Sequence, residues 1–124
     1  MAGTAEVLRS IERRLPNVHY PVLVPNQRGL QTLLELLERY PALTDEISVF
    51  TAVSEWFARQ NLNCSVAESL KRLETVTRAA LDKGLRVRGY VSMVIACPFE
   101  GKMDPRRVRE VTKELLDIDR KSVV

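Results

Sequence analysis

Apolar residues recur along this chain with a helical period that breaks, at intervals, into short continuous apolar runs. Over residues 4–14, Val7, Leu8 and Ile11 stand at helical spacing with Leu15 just beyond, and Pro16-Asn17 ends the segment. Residues 20–26 (Tyr-Pro-Val-Leu-Val-Pro-Asn) lack polar alternation, as expected of a strand covered on both faces in a parallel sheet. Residues 27–40 return to helical spacing through Leu30, Leu33, Leu34 and Leu37, with Asn26 placed to cap and Pro41 to terminate. Residues 42–46 form a polar link, and residues 47–53 are the second strand. Residues 54–63, with Trp56 and Phe57, form a short helical or irregular excursion.

The clearest helix spans residues 65–83. Ser65 with Glu68 three positions on makes a capping box, Val66, Leu70, Leu73, Thr77, Ala80 and Leu81 line one face, and Gly84 supplies a left-handed stop. Residues 85–95 are the third strand, and a loop with Pro98 and Gly101 follows. Asp104-Pro105 opens a last helix that buries Val108, Val111, Leu115 and Ile118. The order α-β-α-β-α-β-α predicts an α/β fold in which three parallel strands alternate with four helices. A closed barrel of eight βα units takes about 250 residues. The chain is therefore expected to be one unit over residues 1–124, a piece of a larger α/β fold whose narrow sheet leaves both edges open.

Composition narrows the function classes. With 124 residues and 45% hydrophobic positions the chain can bury one core, and no apolar run is long enough to span a bilayer. Residues 1–14 mix acids and bases without an apolar stretch, unlike a targeting segment. The net charge of +3 is small, aromatics are 6%, and acids are interspersed among the bases, so neither a nucleic-acid nor a membrane partner is expected. Arg106, Arg107 and Arg109, interleaved with Glu110, Lys113 and Glu114, suggest a solvated helix face. Cys64 and Cys97 stand alone, in neither a disulfide framework nor a zinc spacing, which fits buried thiols in a reducing compartment with nothing nearby to lower a thiol pKa. His19 is the only histidine and cannot seed a two-histidine metal site.

Working residues of α/β folds gather at the C-terminal ends of strands. Here those ends are Pro25-Asn26, Val53-Ser54-Glu55 and residues 92–97, with Asn61-Leu62-Asn63-Cys64-Ser65 just before a helix N-terminus. Asn26 and Ser65 also read simply as caps. Arg88 and Tyr90 share one face of the third strand, either as a structural pair or as part of a site. No phosphate loop, dinucleotide fingerprint or nucleophile elbow is present.

These segments resemble the hydroxymethylglutaryl-CoA lyase family of pyruvate-carboxyltransferase-like TIM barrels. The resemblance is carried by Met1-Ala2, Glu6-Val7-Leu8, the run from Asn17-Val18-His19-Tyr20-Pro21 to Pro25-Asn26, Ser54-Glu55, Asn61-Leu62-Asn63-Cys64-Ser65, Val87-Arg88-Gly89-Tyr90-Val91-Ser92 and Cys97-Pro98-Phe99-Glu100-Gly101-Lys102. The Asn-Cys-Ser and Cys-Pro-Phe-Glu-Gly segments favour the lyase over the related isopropylmalate and homocitrate synthases. The resemblance implies cleavage of an acyl-CoA, hydroxymethylglutaryl-CoA, to acetyl-CoA and acetoacetate in ketone-body formation and leucine degradation, with Mg or Mn as Lewis acid. It implies a partial TIM barrel over residues 1–124, truncated at both ends, with Asn61, Arg88 and Tyr90 as substrate-pocket residues; association as a homodimer is expected from the open strand edges instead. It implies a mitochondrial setting, or a cytosolic one as in some relatives.

The family's Arg-Asp metal motif would precede Met1, and its His-x-His ligands, metal-binding asparagine and catalytic cysteine loop would follow the third strand. No metal ligand and no catalytic residue is assigned in this chain, and Cys97 belongs to a different Cys-Pro segment. Residues 34–46 are several residues longer than the family pattern, as a surface insertion would be, and the pattern stops after Asp117, as in a truncated, misspliced or mispredicted gene product. The expectation is a lyase segment inactive by itself, with a non-catalytic fragment acting through strand edges, or a piece of a related synthase, as alternatives.

Overall fold

The computed structural model describes residues 3–11 and 15–121, with side chains to residue 118. Ten elements follow in order: α1 (Thr4–Ser10), β1 (Val22–Leu23), α2 (Gln27–Arg39), β2 (Glu46–Ala52), α3 (Glu55–Leu62), α4 (Val66–Asp82), β3 (Arg86–Ser92), β4 (Ala96–Cys97), β5 (Gly101–Lys102) and α5 (Pro105–Lys121). Strands β1, β2 and β3 form a parallel sheet in that order, and β4 pairs antiparallel with β5 in a small separate hairpin.

Central strand β2 explains the core. Ile47, Val49 and Thr51 point to the helical side and are at most 1% exposed. There they meet α4, whose Leu70, Leu73, Val76 and Ala80 are buried, and the Thr51 and Ser69 hydroxyls pair at 2.6 Å across the contact. Leu30 and Leu33 of α2 and Val111 and Ile118 of α5 complete the same cluster. Each such side chain removed from water contributes roughly 1.5–3 kcal/mol. The opposite face of the sheet carries Glu46, Ser48, Phe50 and Ala52, aligned with Arg86, Arg88, Tyr90 and Ser92.

Local chemistry sets the ends. Asn26 Oδ1 accepts from Gly29 N–H, Ser54 Oγ from Phe57 N–H and Ser65 Oγ from Glu68 N–H, so Asn26 and Ser65 do cap α2 and α4. Gly84, at φ +78°, ends α4 while Leu85 N–H returns to the Ala80 carbonyl. Asp104 Oδ1 accepts from Arg106 N–H at the start of α5.

Several sequence expectations shift. The region 54–63 is a true helix, α3, so the described residues hold five helices. Strand β1 is short because Pro21 and Pro25 lack N–H donors, although Val24 N–H still reaches the Ser48 carbonyl at 2.9 Å. Strand β3 stops at Ser92 and not at Ile95, because Met93 takes a left-handed φ of 58° and turns the chain into the β4–β5 hairpin. Val7 and Leu15, expected on a buried helix face, are 62% and 51% exposed. Part of that first helix, residues 12–14, lies outside the described residues. The polar link 42–46 is not a surface insertion throughout: Leu43, Thr44 and Glu46 are buried, and Thr44 Oγ1 donates to the Tyr20 carbonyl at 2.7 Å.

Candidate functional site

The polar side chains of the sheet collect on the face away from α4. Glu46, the first residue of β2, is only 2% exposed although it carries a carboxylate. Arg88 Nε donates to its Oε1 at 2.6 Å, and Arg86 Nε lies 3.4 Å from its Oε2. A charge this buried is tolerated only when paired, and the partners come from the neighbouring strand. Register explains the reach: Glu46 lies opposite Arg86 and Ser48 opposite Arg88, so Arg88 extends diagonally back by one pair. The Glu46 carboxylate, with the Tyr90 hydroxyl second, holds the Arg88 guanidinium still more firmly in its charged form. Glu46, Arg88 and Tyr90 therefore form one ladder along this face.

Below Glu46, at the N-terminal end of the sheet, His19 Nδ1 stands 2.9 and 3.0 Å from the two carboxylate oxygens of Asp45. Hydrogen bonding to His19 holds the Asp45 carboxyl below its ordinary value of 3.8. Among the described residues Oε2 of Glu46 finds no hydrogen-bond partner, although His19 Nδ1 is 4.0 Å away.

At the other end, the hairpin meets the start of α3. Ser54 Oγ, completely buried, donates to Cys97 Sγ at 3.2 Å. That bond, assisted by the backbone N–H groups of Phe99 and Glu100, lowers the Cys97 thiol below its ordinary value of 9.0 against the opposing effect of desolvation. Cys64 and Cys97 are free and buried as expected, but Cys97 does have neighbours that lower its pKa. The Phe99 ring stacks on Trp56, centroids 3.7 Å apart, and Arg107 donates to Glu55 at 3.1 Å. That last contact ties one arginine of the solvated α5 face to α3.

Among the expected pocket residues, Arg88 and Tyr90 come together as the strand pattern requires. Asn61 does not touch them. It lies near the end of α3, its Nδ2 donates to the Phe57 carbonyl at 3.1 Å, and it shares a cleft of about 150 Å³ with Asn26 and Phe50. Phe50 is in turn the cross-strand partner of Tyr90. Glu46 was missed as a site residue, and no local signal marks it, since both its partners lie some forty positions on. Among the described residues no group of three or more His, Cys, Asp or Glu could hold a metal ion. Nor, among them, is any helix long and apolar enough to cross a membrane.

No protein-family model matches the chain. Individual relatives do. The chain is 47% identical over 115 residues to the mitochondrial hydroxymethylglutaryl-CoA lyase of Bos taurus, covering 93% of this chain and 33% of that protein. It is 44% identical over 118 residues to the cytoplasmic 3-hydroxy-3-methylglutaryl-CoA lyase of Danio rerio, covering 95% and 33% respectively. The crystal structure of hydroxymethylglutaryl-CoA lyase from Pseudomonas aeruginosa superimposes with a TM-score of 0.83 at 43% identity, over 96% of this chain and 37% of that one. The chain thus spans about a third of the length of the curated relatives it matches. Its three parallel strands and flanking helices are a segment of that barrel architecture, and by sequence and by fold together the chain belongs to the hydroxymethylglutaryl-CoA lyase family of carbon–carbon lyases.

Proposed function

We propose that this chain, a single partial-barrel unit, forms part of the substrate-binding wall of an enzyme that cleaves hydroxymethylglutaryl-CoA to acetyl-CoA and acetoacetate. The carrying observation is Arg88, anchored on Glu46 beside Tyr90 on the sheet face away from α4. Cleavage of the carbon–carbon bond leaves negative charge on the thioester oxygen as an enolate forms. A fixed cation and a phenol hydroxyl next to that oxygen, or next to the substrate carboxylate, lower the barrier because they need no reorganisation when the charge appears. Arg88 is always protonated and offers a planar fork to oxygen pairs. Asn61, from the adjoining cleft, supplies an amide for the acyl-CoA further out.

The divalent metal that family membership implies, Mg or Mn, does not fit the described residues, which gather no ligand set, and no step here runs through it. On this reading the chain alone performs no lyase chemistry, and acetoacetate production by the pure protein would overturn that statement. A mitochondrial compartment is favoured, as in the name of the bovine relative, with the cytosol of the zebrafish relative as the alternative.

The direct test exchanges the corresponding segment of the Pseudomonas aeruginosa lyase for this chain. The chimera is expected to release acetoacetate, and Arg88→Gln to lower kcat/KM by about a hundredfold or more. A folded chimera whose turnover is indifferent to Arg88 refutes the assignment.

A second reading, self-association into a homodimer through strand edges, rests on a different observation. Among the described residues, strands β1 and β3 each have one edge without a partner in the sheet, and beside β1 an apolar cavity of about 700 Å³ opens among Val7, Leu8, Ile11, Val22 and Leu23. Sedimentation of the pure chain as a compact monomer removes it.

A further inference from the structure

We infer that Glu46 is a positioning residue: its buried carboxylate fixes the plane of the Arg88 guanidinium by engaging Nε, so that the two terminal amino groups face an anionic ligand already oriented. The inference deepens the proposed substrate-binding role of Arg88 and rests on it.

Three observations carry it. Glu46 is 2% exposed while the Arg88 side chain is 51% exposed, so the anion is the fixed member of the pair and the cation the one with access to a ligand. The bond is made at Nε, 2.6 Å from Oε1, at the root of the guanidinium fork. An arginine held there keeps its outer pair of donors for bidentate contact with a carboxylate or an enolate oxygen. Finally, Ser48, directly opposite Arg88, is too small to anchor a guanidinium, so the diagonal bond to Glu46 sets where the fork lies. A flexible arginine loses rotamer freedom on binding, and one already clamped has lost it on folding. Arg86, bound more loosely to Oε2 at 3.4 Å, balances the second half of the carboxylate.

A purely structural role would be to hold β2 against β3, and spectroscopy of the full 124-residue chain separates the two. The probe is 3-hydroxy-3-methylglutarate, followed by nitrogen-15 spectra of the arginine side chains. In the native chain the Arg88 Nε–H signal is expected to exchange slowly and to stay in place as probe is added, while the terminal amino signals move. Movement of Nε–H with the terminal signals unmoved overturns the inference without any variant. In Glu46→Gln the apparent Kd of the probe is expected to rise about tenfold, and Glu46→Asp, which keeps the charge, to recover most of that loss. Affinity within about twofold of native in Glu46→Gln, with an unchanged β2–β3 amide spectrum, overturns the positioning role and leaves the proposed function standing. No response of Arg88 to the probe in the native chain overturns the substrate-binding reading of Arg88 itself, and the inference with it.

Discussion

Gly89 lies under Leu115: a Cβ placed on Gly89 would stand 2.7 Å from Leu115 Cδ2 and 3.2 Å from its Cγ. Gly89 therefore sets how closely α5 can approach the outer face of β3. Because the obstructing atoms belong to a partly buried side chain beside a cavity of about 190 Å³, the leucine can give way in part, at the expense of its contacts with the core. Gly89→Ala is expected to cost about 1–2 kcal/mol, as modest overpacking does, and Gly89→Val more. The double variant Gly89→Ala, Leu115→Ala should recover part of the loss, a coupling that urea unfolding of the four proteins measures directly. Strict additivity would mean that Leu115 is not what Gly89 accommodates.

Ser54 joins two elements through one hydroxyl. It accepts from Phe57 N–H to cap α3 and donates to Cys97 Sγ in the hairpin. Ser54→Ala removes both and is expected to destabilise by about 1–2 kcal/mol, the cap alone being worth about 1. The thiol reports the second half of the effect. With its folded value held below 9.0, Cys97 adds stability at pH above that value and loses it as pH falls through the folded value. Carbon-13 shifts of Cys97 followed against pH should show its titration moving upward in Ser54→Ala. An unmoved titration would place the cause in the Phe99 and Glu100 amides alone.

What could be read from the sequence follows how locally each feature is determined. The α4 cap at Ser65, its stop at Gly84 and the opening of α5 at Asp104-Pro105 depend on a few adjacent residues, and all three stand where expected. Arg88 and Tyr90 share a face because strand side chains alternate with period two. Asn61 had no such support; its place in a polar cluster before a helix N-terminus and the family resemblance pointed to it, and its amide turns out to be bonded within its own helix. Glu46 was hidden for a different reason. A charged residue at the end of a polar link belongs by default to the surface, and its burial depends on Arg86 and Arg88 in another strand. The end of β3 at Met93 was equally illegible, since a left-handed methionine leaves no trace in the hydrophobic pattern.

Thr77 offers a stabilising change. Its Oγ1 is buried without a hydrogen-bond partner among the described residues, on the wall of a cavity of about 190 Å³ between β3, α4 and α5. An unmatched hydroxyl there costs free energy that an apolar group of the same shape does not. Thr77→Val is expected to raise stability by about 1 kcal/mol, seen as a higher urea midpoint with an unchanged slope. A lower midpoint would show that the hydroxyl has found a partner in solution, with an ordered water bridging it to Thr112 across the cavity as the arrangement to look for.

Acid should loosen the floor of the sheet before the core. Asp45 is held below 3.8 chiefly by its bond to His19, and Asp104 below 3.8 by Arg106 at the start of α5. A carboxylate whose folded pKa is depressed contributes stability that is present above its unfolded pKa. The contribution is lost as pH falls from there through the folded value. Both groups are exposed, so each effect is small and screened by salt. Stability measured from pH 6 down should be flat for these two groups until about 4 and then fall, and Asp45→Asn should flatten part of that fall. The sharper observable is the link between strand and loop: in native protein below the transition, exchange of the Glu46 and Arg86 amides should quicken ahead of the α4 amides. Equal protection in both regions across that range would show that the Asp45–His19 contact does not secure the N-terminal end of the sheet.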